Sequence, residues 1–168
     1  MTAGLLTRFP DLTVVATDYD PEMVAGASRS LGSWSGRVTV GQADATDLPF
    51  DDGRFSLVRS CAMLHHVVGW EQALSEAARV LRPAGRLVGF DLLHVADSRL
   101  PHRHRYRHDA SKQAHESGHS SPSHEAGAKR IVDPEAFERE LTRLRLTSVV
   151  VRRSVGGVAF RFLATRSI

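Results

Sequence analysis

The order of short apolar runs and helical segments constrains the fold of this chain more than any other feature. Runs rich in β-formers occur at residues 12–17, 38–40, 55–58 and 86–90. Asp20 followed by Pro21 predicts the start of one helix, and apolar residues spaced three and four apart predict another over 70–81. Such alternation is typical of a parallel sheet wrapped by helices. We therefore predict an α/β fold with helices on both faces of the sheet.

The chain changes character after Leu93. Residues 94–130 are rich in His, Arg and Ser without an apolar period, which predicts a mobile surface insertion. Asp133 is a predicted N-cap for a helix that runs to about Leu144. Two β-like runs close the chain at 148–152 and 158–164, and the glycines between them predict an antiparallel hairpin. We interpret residues 1–168 as a single domain.

Composition limits the functional classes. A chain of 168 residues with 42% hydrophobic and 24% charged residues is globular rather than disordered. One cysteine excludes an internal disulfide framework and suits a reducing compartment, so we expect a cytoplasmic protein. No apolar run approaches the roughly 20 residues that span a bilayer, so we expect no membrane partner. The net charge of +3 comes with no other sign of nucleic-acid binding.

An acidic residue stands at the end of the first apolar run. Ligands of open α/β sheets bind outside the carboxyl ends of the strands, where a carboxylate can accept both hydroxyl hydrogens of a ribose. Asp20 is the better helix cap, which leaves Asp18 free for that role. This feature suits NAD as well as other nucleoside cofactors.

A second acidic segment follows the run at 38–40. The Asp44 carboxylate could accept from an exocyclic amine such as that of adenine, while the Ala43 amide could donate to a ring nitrogen. The apolar residues 48–50 would wall the ring. Taken by itself, this stretch is better explained as a polar turn containing proline.

Four motifs in sequence order carry a family resemblance: VATDYDPEM at 15–23, DATDLPF at 44–50, LHHV at 64–67 and RVLRPAGRL at 79–87. Over residues 5–92 the chain resembles the class I S-adenosylmethionine-dependent methyltransferases of the type 11, UbiE-like group. A nicotinamide-dependent Rossmann enzyme would share the acidic strand end, but it does not account for the second and third motifs.

The resemblance implies a Rossmann-like sheet that binds S-adenosylmethionine and a small-molecule methyl acceptor. It places Asp18 at the ribose and Asp44 and Ala43 at the adenine, with Tyr19 and Ala45 as further cofactor-binding residues. Cys61 and the residues up to His66 would line the pocket beneath the methyl donor. His65 and His66 are candidates for a general base toward a hydroxyl or phenol. We favour the interpretation that both histidines pack and line the pocket, because the resemblance places such a pair in members with very different acceptors.

The start of the chain departs from the family pattern. Residues 1–11 resemble only the end of the helix that follows the family's first strand and its glycine-rich turn. That strand would lie between the Asp18 strand and the Phe55 strand, where its loss leaves two central edges unpaired. We expect an N-terminally truncated sequence. The other solutions are a rearranged fold or a strand from a second chain, for example in a homodimer. The alternative function is a degenerate methyltransferase-like module that acts in chain association without catalysis.

Histidines are concentrated in the 94–130 segment, including those at positions 102, 104, 108, 115, 119 and 124. Neutral imidazoles bind zinc, nickel or copper, but no cysteine accompanies them and their spacings fit no standard finger. Neighbouring arginines repel cations. We therefore expect no metal site and interpret the segment as a solvated loop that shapes the acceptor pocket.

Overall fold

The computed structural model of the protein describes residues 2–92, 132–153 and 159–168. Its helices are α1 (Thr2–Arg8), α2 (Pro21–Leu31), α3 (Trp70–Val80) and α4 (Pro134–Arg143). Its strands are β1 (Val14–Asp18), β2 (Val38–Gln42), β3 (Phe55–Cys61), β4 (Leu81–Leu92), β5 (Leu146–Arg153) and β6 (Ala159–Arg166). Short 3₁₀ turns occupy Gly32–Trp34 and Leu64–His66. The predicted 94–130 insertion with its histidines, and the hairpin glycines 156–157, lie outside the described residues.

The described strands form two sheets. β1 and β2 pair in parallel, and a mixed sheet has the order β3-β4-β6-β5. Within it, β3 and β4 are parallel, while β6 is antiparallel to both β4 and β5. The predicted α/β fold and C-terminal antiparallel hairpin are confirmed. Among the described strands, none lies between β1 and β3, which is where the family resemblance places a further strand.

The predicted helix starts are confirmed by side-chain caps. An Asp20 carboxylate oxygen accepts from the Glu22 amide at 2.7 Å, and Pro21 occupies the first turn of α2. Asp133 accepts from two amides at the start of α4. Each cap satisfies donors that have no partner within the helix, and Pro at the first turn loses no hydrogen bond.

The start of β4 differs from the expectation. The sequence predicts that residues 83–85 end the preceding helix and that the strand begins at Arg86, but β4 begins at Leu81. Phe55 pairs with Leu81 and Leu57 with Arg86, so the extra residues form a bulge in the ladder. Ala84 adopts a left-handed φ of 60° within it, a conformation that favours glycine.

The core lies between helices α3 and α4 and one face of the mixed sheet. Phe137 of α4 is fully buried, with its ring centroid 4.7 Å from Phe162 and 5.1 Å from Phe160 of β6. Trp70 of α3 stacks on the same ring at 6.1 Å. This packing holds β3 and β4 in place, and the loops that follow those strands carry part of the candidate site. No helix in the described part of the chain is long and apolar enough to cross a membrane.

Candidate active site

Asp18 lies at the carboxyl end of β1, as predicted. One of its carboxylate oxygens accepts from the Asp20 amide at 3.0 Å, and the other accepts from no described residue. Asp20 is the cap of α2, so the predicted division between the two carboxylates is found in the structure. The neighbouring Tyr19 is 66% exposed, and its backbone carbonyl accepts from the Gln42 side chain. Asp18 therefore has an acceptor oxygen available for a ligand.

Asp44 opens a tight turn after β2. One of its carboxylate oxygens accepts from the Thr46 amide at 2.8 Å and the Thr46 hydroxyl at 2.7 Å. The Asp44 carbonyl accepts from the Asp47 amide at 3.2 Å. The turn is thereby closed on itself, with the second Asp44 carboxylate oxygen left over.

The Ala43 amide, expected to donate to an adenine nitrogen, already has a partner in the structure. That amide donates to the Asp18 carbonyl at 3.1 Å, because Ala43 extends the β1–β2 ladder by one residue beyond Gln42. The Ala45 amide, two residues further on, donates to no described residue. It is the backbone donor of this turn that remains available.

His65 is held by a buried carboxylate that the sequence analysis missed. Asp91 of β4 is fully buried and accepts from His65 Nδ1 at 2.5 Å. It also accepts from the Met63 amide at 3.1 Å and from the Leu64 and Leu92 amides at 2.7 Å. An acidic residue inside the otherwise apolar stretch 87–92 was the available signal, since buried carboxylates require partners. His66 is exposed, with its ring centroid 3.9 Å from that of His65.

This arrangement controls the charge of Asp91 and the tautomer of His65. Burial by itself raises the pKa of the Asp91 carboxyl, but hydrogen bonds from His65 and from the Leu92 and Leu64 amides outweigh it and lower the pKa. An ionised Asp91 requires a proton on His65 Nδ1, so the neutral ring has its lone pair on Nε2. His65 is 13% exposed, and Nε2 accepts from no described residue. The pair can therefore hold a proton acceptor in a fixed orientation.

Cys61 ends β3 and is half-buried. Burial raises the pKa of its thiol, and the nearby Asp91 charge acts in the same direction against Arg59. A neutral thiol is a poor nucleophile, so the position suits a lining residue.

Two clefts of the described surface lie away from these residues. One cleft of about 340 Å³ borders the amino ends of β1 and β2 and the start of β3, at Val14, Val38 and Phe55. Another of about 390 Å³ lies on the outer surface of α4. The predicted site residues instead stand at or just beyond the carboxyl ends of β1, β2 and β3.

Sequence comparisons identify relatives for the N-terminal half. A family model described as a methyltransferase domain, of type 11, matches residues 1–89. The demethylmenaquinone methyltransferase of Thermus thermophilus is 40% identical over 84 residues, which are 50% of this chain and 38% of that protein. The UbiE C-methyltransferase of ubiquinone and menaquinone biosynthesis from Geobacter sulfurreducens is 38% identical over 81 residues, 47% of this chain and 32% of that protein. The chain thus spans about a third of the length of these relatives.

Solved structures resemble the whole chain. The YcgJ protein of Bacillus subtilis has a TM-score of 0.69 at 18% identity, covering 99% of this chain and 87% of that one. The CMeT domain of the citrinin polyketide synthase has a TM-score of 0.71 at 13% identity, and the match covers 99% of this chain and 42% of that one. At such identities the likeness shows the fold.

Proposed function

Because the chain belongs to the type 11 methyltransferase domain family, we propose that it binds S-adenosylmethionine and transfers the methyl group to a small-molecule acceptor. The observation that carries this proposal is the placement of two carboxylates after adjacent parallel strands. Asp18 pairs in register with Gln42, two residues before Asp44. A ribose and a purine joined by one glycosidic bond require acceptors at neighbouring strand ends of this kind.

Each residue has a role that its free atoms support. The unused Asp18 oxygen accepts from a ribose hydroxyl, beside Tyr19. The unused Asp44 oxygen accepts from the 6-amino group of adenine, and the Ala45 amide donates to a ring nitrogen. Ala43 directly precedes this turn in the chain. Cys61 lines the pocket near the sulfonium. Bound S-adenosylmethionine supplies an already activated methyl group, so the protein mainly has to align the acceptor with it.

Replacing Asp18 with asparagine should weaken the binding of S-adenosylhomocysteine by about 10- to 100-fold, the effect of losing a charge-assisted hydrogen bond. The amide oxygen of asparagine can still accept from the Asp20 amide, so the local fold is retained. Isothermal titration calorimetry on both proteins measures the change. Asp20→Asn is the matched control, because asparagine caps a helix as well as aspartate does, and it should bind like the wild type.

The same titration tests the function itself. One site per chain at micromolar affinity supports the proposal. A folded wild-type chain that takes up no S-adenosylhomocysteine contradicts it. Equal affinity of Asp18→Asn and the wild type contradicts only the ribose assignment.

The acceptor is a small molecule whose nucleophile is activated by loss of a proton to His65 Nε2. Demethylmenaquinone, the compound in the names of several relatives, is the first candidate, in its reduced form with a phenolic hydroxyl. His65 would accept the hydroxyl proton, which would make the neighbouring ring carbon the nucleophile for the activated methyl group that bound S-adenosylmethionine supplies. The ring carbon would then release its own proton to solvent, and the imidazolium would return its proton to the ring oxygen, which restores the phenol. Asp91 stabilises the imidazolium that forms.

Replacing His65 with asparagine should lower kcat by about 10²- to 10⁴-fold, the usual contribution of a positioned general base. The asparagine amide can still donate to Asp91, so the change removes the Nε2 lone pair and little else. Steady-state assays with reduced demethylmenaquinone measure the effect. His66→Asn is the control and should retain near wild-type kcat. A loss confined to His66→Asn would reassign the base.

Chain association is a second candidate function, favoured by the strand edges. β1 pairs only with β2, and β3 only with β4, among the described strands. Leu57 of β3 is 41% exposed. A second copy that added a strand here would pair these edges. Static light scattering on the calorimetry sample separates the candidates, since a dimeric mass without ligand binding favours association.

A further inference from the structure

The loop that carries the Asp44–Asp47 turn is attached to helix α3 by two side chains, Glu76 and Arg79. Glu76 is 8% exposed, and its carboxylate accepts from the Leu48 amide at 2.9 Å. Leu48 directly follows the turn. The first residue beyond the turn is therefore fixed by a group on another element.

Arg79 uses all five of its N–H donors in this attachment. Two donate to Glu76, at 2.8 and 2.7 Å. Three reach the loop: to the Leu48 carbonyl at 2.9 Å, the Phe50 carbonyl at 2.7 Å and the Asp52 carboxylate at 2.7 Å. The Arg79 carbonyl also accepts from the Gly53 amide at 3.0 Å. Hydrogen bonds from Arg79 hold the pKa of Glu76 below its ordinary value against burial, so both groups are charged at neutral pH.

The chain contains a second pair of the same local geometry. Arg143 and Glu140 of α4 have the same i,i+3 spacing and are bridged at 2.8 and 2.5 Å. Arg143 donates no hydrogen bond to a loop in the described part of the chain, and its side chain is 64% exposed. An ion pair on a helix surface needs only the two side chains, whereas Arg79 and Glu76 direct four further hydrogen bonds to the Leu48–Asp52 segment. The geometry of this pair therefore suits holding a loop rather than supporting a helix.

We propose that Glu76 and Arg79 are positioning residues that hold the Asp44–Asp47 turn for recognition of a 6-aminopurine, without touching the ligand. The inference rests on the proposed function. The Asp44 carboxylate and the Ala45 amide select adenine only if both keep a fixed position relative to the base. The hydrogen bonds of Glu76 and Arg79 to Leu48 fix one end of the turn. Selectivity for the base then depends on a helix that forms no part of the binding surface.

The test uses Arg79→Lys, which keeps the positive charge but cannot reproduce the five-donor fork. Affinities are measured by calorimetry for S-adenosylhomocysteine and for S-inosylhomocysteine, in which a carbonyl oxygen replaces the 6-amino group. We expect the wild type to prefer the adenine compound and the variant to lose about tenfold of that preference. A general loss of protein stability would weaken the binding of both compounds equally. Arg143→Lys is the matched control and should leave the preference unchanged.

Amide hydrogen exchange without ligand provides the second readout. In Arg79→Lys, exchange at Leu48 and Thr46 should be about tenfold faster, while Val58 and Leu87 in the β3–β4 ladder keep their wild-type rates. The inference requires both results. An unchanged preference, unchanged exchange at the turn, or equal acceleration throughout the chain overturns it. A wild-type chain that binds neither compound overturns the proposed function and the inference together. If the wild type binds and its preference for the adenine compound equals that of Arg79→Lys, only the inference is overturned.

Discussion

Replacement of Asp91 with alanine is expected to lower the free energy of unfolding by about 2–5 kcal/mol. The fully buried carboxylate accepts four hydrogen bonds, and alanine leaves the Met63 and Leu64 amides and His65 Nδ1 without an acceptor. Each buried donor left unsatisfied costs about 1–3 kcal/mol. Urea denaturation followed by circular dichroism measures the change.

His65→Ala is the informative comparison for this prediction. It removes a donor to Asp91 but leaves the carboxylate bonded to three amides, so it should cost clearly less than Asp91→Ala. Equal costs would mean that the backbone contacts of Asp91 contribute little. In that case the carboxylate acts only through the histidine.

The pH dependence of the Asp91→Ala effect follows from the direction of the pKa shift. The pKa of Asp91 is lower in the folded protein than its ordinary value of about 3.9. Its contribution is therefore complete above about pH 4 and is lost as the pH falls through the lower folded pKa. The difference in stability between wild type and Asp91→Ala should therefore shrink as the pH falls below about 4.

Replacement of Phe137 with alanine is expected to cost about 3–5 kcal/mol. This side chain contacts Trp70 of α3 and Phe160 and Phe162 of β6, so its removal leaves a cavity where α3, α4 and the sheet meet. Thermal and urea denaturation measure the loss. Phe9→Ala is the control: Phe9 is 52% exposed, and its replacement should change stability by less than about 1 kcal/mol. A small effect of Phe137→Ala would mean that the core is not formed as described.

Local signals in the sequence were sufficient for most of the elements. Asp20 with Pro21, and Asp133 with Pro134, predicted the starts of α2 and α4, because caps act within one turn of the chain. The β4 start was mispredicted, because the residues 81–85 join the sheet through a bulge against Phe55 that no local pattern specifies. Strand pairing over long separations, rather than propensity, determined that boundary.

The sequence by itself determined the family, the Asp18 position at the end of β1 and the motif around Asp44, since these depend on residues close together in the chain. Only the tertiary structure decided which atoms remain available. The Ala43 amide is used by the β1–β2 ladder, Asp91 reaches His65 across 26 residues, and Arg79 reaches Leu48 across 31. Hydrogen bonds between distant segments depend on how the strands and helices pack, and that packing is the sum of many contacts that no single motif records.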